Sequence, residues 1–307
     1  MSLDFLFRTD EFNSLVRAVA SGERGFSVRG LTDPARPYLL ACLATRTDRP
    51  IVFVRPSSAP LAPFEAECRF FLGQLASTLR LASLPALSEN PYFEVPPALE
   101  AVSSRMRFLH GLLRKPPAVV VTGLAGLLKP LPSPADLRRS FLELERGAAA
   151  DRDEVLETLA RFGYAREDLI ASPGEYAWRG GIIDVFSPWE ANPFRVELSG
   201  PEVASLREFD ITSQRSLKKL ERLTVPGLRE FPADREFLDA WAAAARRRAK
   251  GTGRDLDAKI AALGRGEFTP GYSSLALLAK DRFVPFTDHL PDAVYIVDRP
   301  EEVDQGW

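Results

Sequence analysis

Gly174-Glu-Tyr-Ala-Trp-Arg-Gly-Gly-Ile-Ile-Asp-Val-Phe186, followed by Phe194-Arg-Val-Glu-Leu-Ser-Gly200, decides the fold of the middle of the chain. Apolar and polar residues alternate with a period of two, as they do in strands with one buried face. Residues 175–178, 182–186, 194–198 and 203–209 have this strand character, and Arg-Gly-Gly, Ser-Pro-Trp and Ser-Gly-Pro turns separate them. Ahead of them, residues 152–162 carry Val155, Leu156, Leu159 and Phe162 at helical spacing. A small antiparallel sheet with one helix on it follows. In the third strand Phe194, Val196 and Leu198 face that core, which turns Arg195 and Glu197 to the opposite side. Such a face is either a solvated exterior with a cross-strand ion pair, worth little, or an arginine-bearing recognition surface.

Toward the N-terminus the periodicity changes. Residues 9–20 repeat Phe12, Leu15, Val16 and Val19 on one helical face, and residues 26–28 read as a short strand. A helix over 38–43, a buried strand over 51–54, helices over 63–81 and 99–113, and an apolar strand over 118–121 continue the alternation. That order predicts the α/β class, a parallel sheet wrapped by helices. The cluster Leu131-Pro-Ser-Pro134 marks a boundary. Helices over 241–250 and 255–263 and a strand over 294–297 complete the chain. The expected division is a discontinuous αβ unit, residues 1–134 with 224–307, and an inserted α+β domain, residues 135–223. Its test is whether strands 119–121 and 294–297 share a sheet.

Composition excludes more than it names. The 307 residues carry 40 basic and 42 acidic side chains, a net charge of −2, so a globally DNA-coating surface is absent. Cys42 and Cys68 form neither a disulfide framework nor a metal cluster, and a reducing, cytoplasmic compartment is the expectation. No signal peptide or membrane span is read. His110 and His289 stand in no metal-ligand spacing, which disfavours zinc sites and histidine catalysis.

The segment from Phe26 to Leu43 has the strand, glycine and helix order of a phosphate-binding loop. In the register starting at Gly30, however, Ala35, Arg36 and Pro37 occupy the places of the second glycine, the lysine and the magnesium-binding hydroxyl. Pro37 has neither hydroxyl nor N–H. An inactive relic or a plain αβ turn is the expectation. Asp298 ends an apolar strand as a magnesium-binding aspartate would, yet Arg299 and Pro300 follow it, so a strand-end cap is the better reading.

Several of these motifs together carry a resemblance: residues 179–186, Phe194-Arg-Val-Glu-Leu198, Leu206-Arg-Glu-Phe-Asp210 and Ser213-Gln-Arg-Ser216. Arg105-Met-Arg-Phe-Leu109 and Phe286-Thr-Asp-His-Leu-Pro291 extend it to both flanks. The chain resembles the N-terminal module of bacterial transcription-repair coupling factors (Mfd), which is itself similar to the excision nuclease component UvrB. The resemblance implies a degenerate RecA-like αβ unit with an inserted domain that binds UvrA, the damage-sensing ATPase of nucleotide excision repair. UvrB has an intact ATP site and a tyrosine-rich hairpin; here stand the degenerate Gly30 loop and only Glu89-Asn-Pro-Tyr-Phe93.

The resemblance also implies the site. Family contact positions for UvrA fall on Arg166, Arg179, Arg195 and Glu197, with Phe186 as a fifth candidate; Ala177 stands where a further arginine is found. The implied function is an adaptor that brings UvrA to stalled RNA polymerase, with no catalytic residue, metal or cofactor of its own. In the family, ATP and magnesium serve a DNA translocase elsewhere in a longer protein, which also engages RNA polymerase, DNA and its own C-terminal domain. A monomer is expected. The rival is a UvrB-like DNA-binding module, for which Arg246-Arg-Arg-Ala-Lys250 is the one local basic run; cations complementing a helix C-terminus explain that run equally.

Overall fold

A computed structural model describes residues 5–23, 25–56, 59–87, 97–248, 254–265, 267 and 282–304. The chain divides into two compact units, residues 1–86, 111–130 and 285–307 in one, residues 87–110 and 131–284 in the other. The first is built on β1 (Ile51–Arg55), β2 (Leu81–Leu84), β3 (Val119–Gly123) and the late strand β14 (Val294–Val297). These lie parallel in the order β14-β1-β3-β2, with Phe53 opposite both Val121 and Ile296. Strands near residues 119–121 and 294–297 therefore share one sheet. Continuous apolar runs fit the central strands because both faces of β1 and β3 are buried.

Helices α1 (Asp10–Ser21), α2 (Ala35–Ala44) and α3 (Leu61–Gln74) contribute Phe12, Leu40, Leu43, Phe64 and Leu72 to a core with Ile51, Phe53, Val119 and Val121. Thr9 caps α1 by accepting from the Phe12 amide, and Gly22 ends it at φ +73°. Two sequence readings fail in this unit. Residues 26–28 join no strand: Gly25 and Gly30 take positive φ on either side, and Phe26 and Val28 stay about half exposed. The helix expected through residue 81 stops at Gln74, and Leu81 instead opens β2, where Leu81 and Leu84 are buried beside β3.

Helix α4 (Leu99–Arg114) contains the division between the units, and α5 (Leu124–Leu128) follows β3. After its first passage through residues 87–110, the chain returns to the second unit at β4 (Leu131–Pro132) and leaves it through β13 (Phe283–Val284), which pair antiparallel. Beside them α6 (Pro134–Arg138) buries Asp136, whose carboxylate accepts from Arg139 at 2.8 Å and Arg282 at 3.2 Å.

Next come β5 (Phe141–Glu145), α7 (Arg152–Phe162), β6 (Ala165–Arg166), β7 (Glu175–Arg179), β8 (Ile182–Val185), β9 (Phe194–Ser199), β10 (Glu202–Phe209), β11 (Ser216–Leu220) and β12 (Arg222–Pro226). The six strands from β6 to β11 form one sheet in sequence order, antiparallel except at β6–β7, while β5 and β12 pair separately. Val155, Leu159 and Phe162 of α7 pack on Tyr176, Ile183, Val185, Phe194, Val196 and Leu206.

Helices α8 (Arg235–Arg248) and α9 (Arg254–Gly264) bury a separate core of Phe231, Phe237, Trp241, Ile260 and Leu263. The units thus differ in extent from the division 1–134, 135–223 and 224–307: residues 87–110 and 224–284 go with the inserted domain, and only residues 285–307, with α10 (Phe286–His289), β14 and α11 (Pro300–Asp304), return to the parallel sheet. Phe231, Phe237, Trp241, Ile260 and Leu263 enclose one another, which gives α8 and α9 a core apart from the parallel sheet. Glu89-Asn-Pro-Tyr-Phe93 and the end of the basic run at Lys250 lie outside the described residues.

Candidate functional site

The pleat of the six-stranded sheet sends Tyr176, Trp178, Ile183, Val185, Phe194 and Val196 toward α7. The opposite face receives Ala177, Arg179, Ile182, Asp184, Arg195, Glu197, Ser205 and Arg207. Register lines these up across strands, Ala177 with Asp184, Asp184 with Arg195 and Arg195 with Arg207 in one row, Arg179 with Ile182, Ile182 with Glu197 and Glu197 with Ser205 in the next.

Arg195 is held as a fork. Its Nε and Nη2 donate to the two oxygens of Asp184 at 2.7 and 2.8 Å, and Nη2 also donates to Gln214 Oε1 at 2.9 Å. Its guanidinium lies 4.4 Å from the centroid of the buried Phe209 ring. The Asp184 carboxylate raises the arginine's pKa further. Glu197 is likewise engaged: the Ser205 hydroxyl donates to it at 2.8 Å and Arg207 pairs with it, and together they hold its carboxyl below the usual carboxylate range.

The other candidates divide. Arg179 is exposed, and its Nη2 donates to the Asp168 carbonyl at 3.1 Å. Arg166, on the edge strand β6, places its guanidinium 5.4 Å from the centroid of Trp178, whose ring belongs to the α7 side, where Arg152 also approaches at 5.1 Å. Phe186 is buried with Ile170, Ala177 and Phe209 in a small apolar cluster beneath the charged face. Arg179, Arg195 and Glu197 therefore share a face, whereas Arg166 sits on the edge strand with its side chain turned to the α7 side, and Phe186 supports the charged face from below.

Gly30, Ala35, Arg36, Pro37 and Asp298 occupy the parallel unit. Gly30 takes φ +79°, Ala35 opens α2, and Pro37 is buried in its first turn. Asp298, nearly buried at the end of β14, is met by Arg36 Nε at 3.1 Å and Arg55 Nε at 3.5 Å. Asp33 pairs with Arg36 and with Arg299, the latter at 2.7 Å, and Arg299 followed by Arg36 depresses its carboxyl pKa. The donor set does not fit a magnesium nucleotide: Asp298 is already paired with Arg36 and Arg55, and Pro37 offers no hydroxyl. Among the described residues no group of three or more His, Cys, Asp or Glu could hold a metal, and no helix is long and apolar enough to cross a membrane.

The family described as the UvrB interaction domain matches residues 142–231. The chain carries a UvrB interaction domain. It is 34% identical over 223 residues to the transcription-repair-coupling factor of Myxococcus xanthus, a match that covers 71% of this chain and 18% of that protein. With the transcription-repair-coupling factor of Mycobacterium tuberculosis (strain CDC 1551 / Oshkosh) the identity is 30% over 294 residues, 89% of this chain and 23% of the relative. UvrABC system protein B of Chlorobium limicola is 27% identical over 231 residues, 72% of this chain and 34% of the relative. The chain spans about a fifth of the length of the coupling factors it matches.

The UvrB interaction domain takes in the whole six-stranded sheet and contains Arg166, Arg179, Phe186, Arg195 and Glu197; the arginine cluster around Asp298 lies outside it. Sequence reasoning passed over Asp184, Arg207, Phe209 and Gln214, which complete the charged face. Asp184 was within reach, since it shares the strand parity of Ile182 rather than of the core residue Ile183. Gln214 was not, because a loop brings it there.

Proposed function

We propose that the UvrB interaction domain of this chain docks UvrA through the sheet face bearing Arg179, Arg195 and Glu197, with Arg166 at its edge, and so serves transcription-coupled nucleotide excision repair as an adaptor in the bacterial cytoplasm. The observation that supports the reading is the register that lines Arg179, Arg195 and Glu197 up on the face turned away from α7, inside the matched domain. In a longer protein, RNA polymerase, DNA and a C-terminal domain would be further partners of other segments.

The parallel unit, in this reading, is a degenerate RecA-like fold that neither binds nor hydrolyses ATP. The pairing of Asp298 with Arg36 and Arg55 supports it, since the carboxylate is already held by two arginines. Calorimetric titration with ATP and magnesium is expected to give no saturable heat; a micromolar dissociation constant would overturn this half.

The test of docking is UvrA affinity for the 307-residue chain and for Arg179→Glu, whose exposed side chain makes the substitution compatible with folding. Charge reversal is expected to weaken binding about 30-fold, or about 2 kcal/mol, with an unchanged circular dichroism spectrum. A folded variant that binds as the wild type does removes Arg179 from the surface; a wild-type chain that does not bind UvrA removes the function.

A further inference from the structure

Arg195 has five N–H donors. Nε is spent on Asp184, and the two of Nη2 go to Asp184 and Gln214, while the Nη1 pair has no hydrogen-bond partner among the described residues. The side chain is 23% exposed, so most of it is covered. Beneath it Phe209 belongs to the apolar cluster of Ile170, Ala177 and Phe186, which makes the support rigid.

Gln214 reaches Arg195 from the connection between β10 and β11, at a conformational cost. It stands at φ +59°, a left-handed conformation that side chains with a Cβ rarely adopt. The turn around it is closed: the Gln214 amide donates to the Asp210 carbonyl at 2.8 Å, the Ser213 amide to Asp210 Oδ1 at 2.7 Å, and the Gln214 side-chain amide to the Ile211 carbonyl at 2.9 Å. With its Nε2 donor used inside the turn, the side-chain carbonyl points outward from it, where Oε1 accepts from Arg195 Nη2. Strain held at a surface turn and aimed at one arginine marks a functional constraint.

We propose that Asp184, Gln214 and Phe209 are positioning residues for Arg195, which meets its partner through the Nη1 edge alone and takes a single acceptor oxygen rather than a two-pronged carboxylate. This rests on the docking of UvrA to the same face. An arginine fixed beforehand loses less rotamer freedom on binding, and the prong opposite Asp184 is the only one left to offer.

The experiment is a double-mutant cycle in the full chain with UvrA as the titrant, using Arg195→Ala, Asp184→Ala, the pair together, and Gln214→Gly. Arg195→Ala is expected to weaken binding about 30-fold, and Asp184→Ala about tenfold although it touches no partner. The double variant is expected to be no weaker than Arg195→Ala within threefold. Losses that multiply, or an Asp184→Ala variant with wild-type affinity, overturn the proposal. Gln214→Gly guards against misfolding as the cause: it relieves the left-handed strain and is expected to raise Tm by about 2 °C while lowering affinity at least threefold. Raised Tm with unchanged affinity makes Gln214 merely structural and overturns its part. Wild-type chain that fails to bind UvrA overturns the docking reading and this proposal together, whereas intact wild-type binding with a failed cycle overturns this proposal alone.

Discussion

Cys42 and Cys68 are buried in the core of the parallel unit with free thiols, and burial pushes Cys68 up to about 12 and Cys42 in the same direction. The fold favours the neutral thiols, so their contribution to stability is full below the ordinary thiol pKa of about 8.5 and declines as pH climbs from there toward the raised value. At pH 8 iodoacetamide is expected to leave both unmodified in the native chain and to label both in denaturant, as mass spectrometry would count; labelling of either in the folded chain contradicts the burial. Residue identity made some sites legible and not others. That Arg36 and Pro37 differ from a lysine and a hydroxyl is plain from the sequence, but the pairing of Arg36 with Asp298 depends on β14 reaching the sheet. For Arg195 the parity of its strand was readable, whereas its bond to Gln214 crosses 19 residues of sequence and a loop.

Among the elements, α7 was read from Val155, Leu156, Leu159 and Phe162, and its ends are fixed by local chemistry. Asp151 accepts from the Glu154 amide at 3.0 Å, and Gly163 takes φ +96° with the Arg229 guanidinium 2.6 Å from where a Cβ would stand. Asp151→Ala is expected to destabilise the chain by about 1 kcal/mol, seen as a lowered urea midpoint with unchanged slope. Strands β5, β11 and β12 escaped the sequence reading for physical reasons. β11 pairs only on one side and its Ser216-Leu-Lys-Lys-Leu220 is exposed along most of its length, so no buried face imposes a period. β5 and β12 find each other across an intervening sheet, Glu145 meeting Arg222 at a separation of 77 residues.

For the molecule as a whole, the motif at Arg105 turns out to be internal. Arg105 in α4 is fully buried and pairs with the nearly buried Glu230, 125 residues away, just beyond β12. Removing Glu230 takes an opposite charge away from a buried guanidinium, so Glu230→Ala is expected to cost about 3–5 kcal/mol in chemical denaturation, with much of it recovered when Arg105→Met is added. A loss below 1 kcal/mol would mean that water reaches the pair. The alternation of strands and helices made the α/β class and the antiparallel sheet legible, while the extent of the two compact units depends on which residues, such as Trp241 and Phe237, enclose one another.

The last strand of the parallel sheet lies beside the first, Val297 next to Val54. On a ribosome adding about 5–20 residues per second, β1 waits on the order of 10 to 50 seconds for that neighbour. The UvrB interaction domain closes its sheet within residues 142–231 and needs nothing from later in the message. Synthesis therefore delivers the six-stranded sheet first and leaves the parallel sheet with an open edge at β1 until its closing strand is made, an interval in which that unpaired edge is exposed to pairing with other chains.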